Sequence, residues 1–195
     1  MDIIPTKFAL NGVTNDALNF YVLDGWSRPM SPATEDRTAK VLGRAGNIWI
    51  DSNLSARSFS IPGYFITESP GDIDGCARNL AALLVDARGR PRTLKLIFVD
   101  EPALYYTVRY NAEIGLVRYN DQMRGTFAIP LIADDPYAYA VDETVTTEAG
   151  ITASGHTWSF DSATKISTPA KICITNDGAS AVNGITITLE YQEDV

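Results

Sequence analysis

Along much of this chain, hydrophobic and polar positions alternate with a period of two, the spacing of a strand with one face on a core. The segments from Lys7 to Leu10 and from Asn19 to Leu23 read as short strands, followed by the turn pairs Asn11-Gly12 and Asp24-Gly25. Residues Ser27 to Arg37 are rich in proline, serine and charge and read as a surface loop. Beyond them Ile48 and Ile50 flank Trp49, and Phe59 and Ile61 alternate with Ser58 and Ser60. This predicts a hairpin and then a longer strand bent near Pro62-Gly63.

One segment changes period. In DGCARNLAALLVDAR, Cys76, Leu80, Leu83, Leu84 and Ala87 share a helical face, Asp72 or Asp74 is placed to cap the start, and Gly89 and Pro91 are placed to end it. A lone helix among strands must cover a sheet face, and TLKLIFVD is the strand expected beneath it. Leu104 to Tyr110 and Glu113 to Tyr119 then read as strands, followed by RGTFAIPLIADDPYAY, where Pro130 marks an edge or a bulge. After Tyr139 the composition turns to Thr, Glu, Ala and Gly. A boundary near residue 140 divides the chain into 1–140 and a small or incomplete C-terminal β region, 141–195, with half-buried strands in KICITN and GITITLEY. The fold class is mainly β: a sandwich with one packed helix and a protruding hairpin.

Composition narrows the chemistry. The 195 residues are 45% hydrophobic and 21% charged, as in a folded globular protein. No run approaches the ~20 apolar residues of a membrane helix. The first residues lack a secretory pattern, so the protein is expected in a cytoplasm or released from one by lysis, with Cys76 and Cys173 as reduced, buried thiols. A formal net charge of −8 opposes the wrapping of nucleic acid.

Catalytic constellations are thin. The only histidine, His156, has no nucleophile elbow or cysteine partner, and two scattered cysteines with one histidine make no metal cluster. No cofactor is implied. The acidic pairs Asp100-Glu101 and Asp134-Asp135 each precede a proline and read as turn formers, although a glycosidase would also need two carboxylates. GDIDG lacks the spaced oxygen ligands of a calcium loop. ARGRPR resembles a minor-groove clamp, but it joins a helix to a strand in an acidic chain and reads as structural. Trp26, Trp49 and Trp158, with Tyr105-Tyr106, Tyr137 and Tyr139, suit interfaces and cores, or a sugar platform. A carbohydrate-binding β-sandwich module is therefore the alternative reading.

In order, KFALNG, RSFSIPGYF, CARNLAALL, LKLIFVDEP running into LYYTVRY, and TFAIPLIADDPYAY closing on Asp135, Pro136 and Tyr137 resemble the N-terminal domain of siphophage distal tail proteins over roughly residues 5 to 140. The resemblance implies a non-enzymatic virion protein, six copies of which form a ring joining the tail tube to the tip or baseplate and letting DNA pass. It implies partners among tail tube, tape measure and tail-tip, baseplate or receptor-binding proteins, with assembly in the host cytoplasm and residence in the virion tail. It also assigns the inter-subunit arm to the hairpin around Gly43, Arg44 and Asn47, with Trp49 as an anchor. AKICITNDGASAVNGITITLEY looks like the opening of the family's galectin-like second domain, although it is too short for the whole.

Overall fold

The computed structural model describes residues 5–24, 26, 28–69, 71–120, 123–142, 147, 151 and 172–176. In chain order its elements are β1 (Phe8–Leu10), β2 (Val13–Thr14), β3 (Phe20–Val22), β4 (Thr34–Ala39), β5 (Ile48–Leu54), β6 (Arg57–Ile66), α1 (Asp72–Leu84), β7 (Leu94–Phe98), β8 (Leu104–Tyr110), β9 (Val117–Arg118), β10 (Arg124–Ala133) and β11 (Tyr139–Ala140). By contacts the chain divides into two units, Met1–Thr144 and Val145–Val195.

Among the described residues of the first unit, nine strands form one antiparallel sheet. Its order is β2-β1-β7-β8-β10-β6-β3, with β11 on β8 and β9 on β10. The hairpin β4–β5 stands apart from it. The sheet curls like a sandwich, because the rings of Phe8 near one end and Phe20 at the other meet edge to face at 5.7 Å. Asn11 and Gly12 both have positive φ (50° and 81°), the two-residue turn whose twist matches a hairpin, and they join β1 to β2.

Asn15 is fully buried and ties the two ends of the sheet together. Its Oδ1 accepts the N–H of Lys7 (2.7 Å) and Phe8 (3.3 Å), and its Nδ2 donates to the carbonyls of Pro5 (3.1 Å) and Phe20 (2.9 Å). Every side-chain polar atom is thus partnered, the condition for a buried amide to stabilise rather than cost. Around it Phe20, Phe65 and Phe127 pack at centroid distances of 4.4 to 6.3 Å.

The prolines inside β6 and β10 leave the ladders between these strands intact. Register between β6 and β10 runs unbroken from Arg57↔Ala133 to Ile66↔Arg124, with no bulge at Pro62 or Pro130. The carbonyl of Pro62 accepts Leu23 N–H, just past the end of β3, and that of Pro130 accepts Asn111 N–H, just past the end of β8. In a strand N–H and C=O of one residue point the same way, so each missing donor faces the point where the ladder ends on that single bond. Gly63 serves close approach: a Cβ there would strike the Phe20 ring and the Tyr21 carbonyl oxygen of β3.

Helix α1 buries Ile73, Cys76, Leu80 and Leu84, a stripe at helical spacing. Several local expectations are corrected here. Gly71 occupies the N-cap without a side-chain hydrogen bond, and Asp72 and Asp74 lie in the first turn, where their charge favours the positive end of the helix. The helix ends at Leu84, before Ala87, Gly89 and Pro91. Val85 is extended and bridges Pro91, while the Asp86 carboxylate collects the N–H groups of Arg88 (2.8 Å) and Arg90 (2.9 Å), closing a separate turn at Gly89. These bonds, the Arg90 N–H first, hold the Asp86 carboxyl below its usual range. The backbone of α1 comes closest to β6 rather than β7, and Ile73 reaches Gly125 of β10.

Three further differences concern strands and thiols. Thr34–Ala39, within and beyond the expected loop, is a strand, because its partner β5 supplies the ladder that its own composition does not predict. Of Glu113 to Tyr119 only Val117–Arg118 is strand, and Ile114 and Leu116 instead pack against the core. In the second unit the described stretch 172–176 is not a strand and Cys173 is exposed, whereas Cys76 is buried as expected. The GITITLEY segment, His156, Trp158 and Gly25 lie outside the described residues. Among the described residues no helix is long and apolar enough to cross a membrane.

Candidate inter-subunit interface

The hairpin β4–β5 and its tip carry six of the exposed large apolar side chains: Val41, Leu42, Ile48, Trp49, Ile50 and Leu54. Its strands pair from Thr34↔Leu54 to Ala39↔Ile48, with one register shift between Arg37 and Thr38. The tip, 40–47, turns through Gly43 and Gly46, both at φ +82°, a conformation that a side chain would strain. Gly43, Arg44 and Asn47 lie in this tip and Trp49 near the start of β5, so the structure brings the four predicted arm residues onto one projecting element, all of them exposed. Leu42 is fully exposed, Trp49 is 62% and Ile50 54% exposed, and Val41, Ile48 and Leu54 are also open to solvent. A two-stranded hairpin is marginal alone in water, and exposed apolar side chains gathered on one such element suit an interaction surface. Internal bonds hold its shape: Ser52 Oγ donates to Asp36 (2.7 Å), and Ser55 N–H to the Ala33 carbonyl (2.7 Å) at the root.

Beside that root lies an open cleft of about 520 Å³ lined by Trp26, Arg28, Met30, Arg57, Asp100 and Tyr106, among others. Arg28 stacks over Phe98 at 4.7 Å and pairs with Asp100 (3.1 Å) and Glu101 (3.0 Å). Arg57 Nη1 donates to the Tyr106 hydroxyl at 2.8 Å, while its buried Nε has no hydrogen-bond partner. Neither residue stood out in the sequence, because an arginine among polar neighbours gives no sign of burial.

The carboxylate pairs do structural work. Asp134 takes a two-pronged contact from Arg109 (2.8 and 3.0 Å), which raises the arginine's pKa. Asp135 accepts the N–H of Tyr137 (3.2 Å) and the hydroxyl of Tyr139, whose pKa is raised by that bond. The Asp-Pro-Tyr sequence is thus an Asx-type turn that delivers Tyr139 to its pairing with Tyr105 in β8. Asp74 pairs with Arg118, and among the described residues no group of His, Cys, Asp or Glu is arranged to hold a metal. ARGRPR forms the turn between α1 and β7, with Arg90 paired to Asp86 at 2.9 Å. Of the aromatics proposed for sugar stacking, Trp26 is stacked on Phe98 at 5.4 Å, and Tyr105 packs against Tyr139 at 5.8 Å under Lys95.

Comparison with known proteins gives two findings. A family model described as the phage tail protein RIFT-related domain matches residues 16–133. The crystal structure of the Dit protein of phage SPP1, described as a paradigm of the hub adsorption apparatus in phages infecting Gram-positive hosts, superposes with a TM-score of 0.58 at 17% sequence identity. That match covers 70% of this chain and 52% of the SPP1 protein, so the chain spans about half the length of that relative. Among curated proteins no significant match is found.

Proposed function

Because this chain belongs to the phage tail protein RIFT-related family and is a structural protein of the virion tail, we propose that it forms a hexameric ring hub that connects the tail tube to the tail tip or baseplate. The observation that carries this reading is the hairpin β4–β5, a solvent-exposed arm bearing Leu42, Trp49 and Ile50 and standing apart from the sheet. An arm that leaves one subunit and buries its apolar side chains on the next makes a head-to-tail contact, and head-to-tail contacts close into rings when the rotation permits. Residues 1–140 would form the ring, and 141–195 a second, small β region. DNA would pass through the lumen, and a net charge of −8 disfavours its adhering there. Tail tube, tape measure and tip or receptor-binding proteins are the partners, met in the host cytoplasm during assembly. The protein's work is to grip neighbours, not to turn over a substrate.

Native mass spectrometry and negative-stain microscopy test this, with the chain alone and with the tail tube protein. The expected result is a closed ring, formed alone or on the tube. A monomer that binds no tail component overturns the reading.

A further inference from the structure

The cleft at the root of the hairpin holds a donor without an acceptor. Arg57 opens β6, just beyond the end of β5 at Leu54. Its guanidinium sits over the Tyr106 ring at 5.2 Å and one Nη is used by the Tyr106 hydroxyl, but Nε is closed to solvent and unpaired. A buried N–H of a cation left without an acceptor is a standing cost, and an anionic group beside the same guanidinium offsets part of it. Arg28, on the same cleft, already has Asp100 and Glu101. Arg57 is the cleft arginine with no carboxylate among the described residues.

We propose that this cleft receives a carboxylate side chain from the hairpin of a second copy of the chain, pairing with the Nη of Arg57 that the Tyr106 hydroxyl does not use. The arm carries acceptors of the kind that the unpaired Arg57 needs, beside the basic Arg37, Lys40 and Arg44. The hairpin carries Glu35, Asp36 and Asp51, all exposed, and none of them is ion-paired with Arg57 of its own chain. Met30, on the lip of the cleft and 99% exposed, offers apolar contact to the arm's exposed Leu42 and Trp49. In a head-to-tail ring every copy presents one hairpin and one cleft, so closure satisfies each Arg57 with the next copy's arm. This rests on the ring reading above and adds the residue that seats the arm.

The test uses the full chain and measures its assembly, alone and with the tail tube protein, by sedimentation velocity and mass photometry. Arg57→Met, which keeps the stem and removes the donors, is expected to raise the concentration of half-assembly tenfold or more. One of Glu35→Gln, Asp36→Asn and Asp51→Asn is expected to match that loss and to add nothing further when combined with Arg57→Met. Those three positions are exposed, so they carry the test if Arg57→Met proves to be poorly folded. Assembly as in the parent for Arg57→Met, or for all three carboxylate variants, overturns this proposal. So do losses that simply add. In either case, loss of assembly on replacing residues 40–47 by a two-residue turn leaves the ring reading standing. A parent chain that stays monomeric and binds no tail component overturns the ring reading and this proposal with it.

Discussion

Replacing Asn15 by alanine should be among the most damaging single changes in the first unit, although no catalytic or surface role attaches to it. The side chain holds four backbone groups, and their surroundings set the magnitude. Pro5 and Lys7 are exposed, so their freed groups turn to water at little cost. Phe8 N–H and the Phe20 carbonyl belong to residues at 0% exposure and lose their acceptor and donor outright. At ~1–3 kcal/mol for each stranded group, two of them cost about 2–6 kcal/mol. Partial relaxation makes the lower half of that range the expected result. For a unit of this size that lowers the melting temperature by roughly 6–12 °C. Thermal unfolding by circular dichroism, with urea midpoints at unchanged slope, measures it.

Asn15→Asp sharpens the argument through its sign. A carboxylate there still accepts from Lys7 and Phe8 but faces the carbonyls of Pro5 and Phe20, so burial and repulsion raise its pKa above the ~3.9 of an unfolded aspartate. The variant should therefore recover stability relative to the parent as pH falls through that raised value, since the protonated acid can donate to a carbonyl. A loss under about 1 kcal/mol in Asn15→Ala, or no relative recovery in acid for Asn15→Asp, would refute the view that this amide fastens the two ends of the sheet.

Gly63→Ala should cost about 3 kcal/mol in urea unfolding, because the obstacle includes the Tyr21 carbonyl oxygen of β3, which yields less easily than a side-chain tip; a neutral result would mean that β3 shifts freely. Asp86→Asn should lower the melting temperature at neutral pH and lose that effect in strong acid. The depressed carboxyl stabilises the folded state above the unfolded pKa, and this contribution disappears as pH falls through the folded value. An equal difference at pH near 7 and pH near 2 would assign the effect to shape instead of charge. Leu42→Ser combined with Trp49→Ser should leave the thermal stability of the chain within ~0.5 kcal/mol, both positions being exposed, while assembly is lost. A large drop in melting temperature would place them in a core.

The sequence by itself determined the class of fold and much of its local detail. Alternation fixed β8 at Leu104–Tyr110, Asn11-Gly12 fixed a turn, and the spacing of Cys76, Leu80 and Leu84 fixed a helix, because these signals are written in neighbouring residues. What it left open are properties of pairs distant along the chain. Thr34–Ala39 is polar at every position but its last and becomes a strand only because β5 folds back on it. Gly63 is required by the approach of β3, about forty residues earlier, and Asn15 is meaningful only once the ends of the sheet meet. The same holds for function. The arm role of Gly43, Arg44 and Asn47 rested on the family resemblance, while the turn itself was signalled by its glycines, which need no distant partner. The unpaired Nε of Arg57 was not legible, because burial is decided by what the rest of the fold stacks upon a side chain.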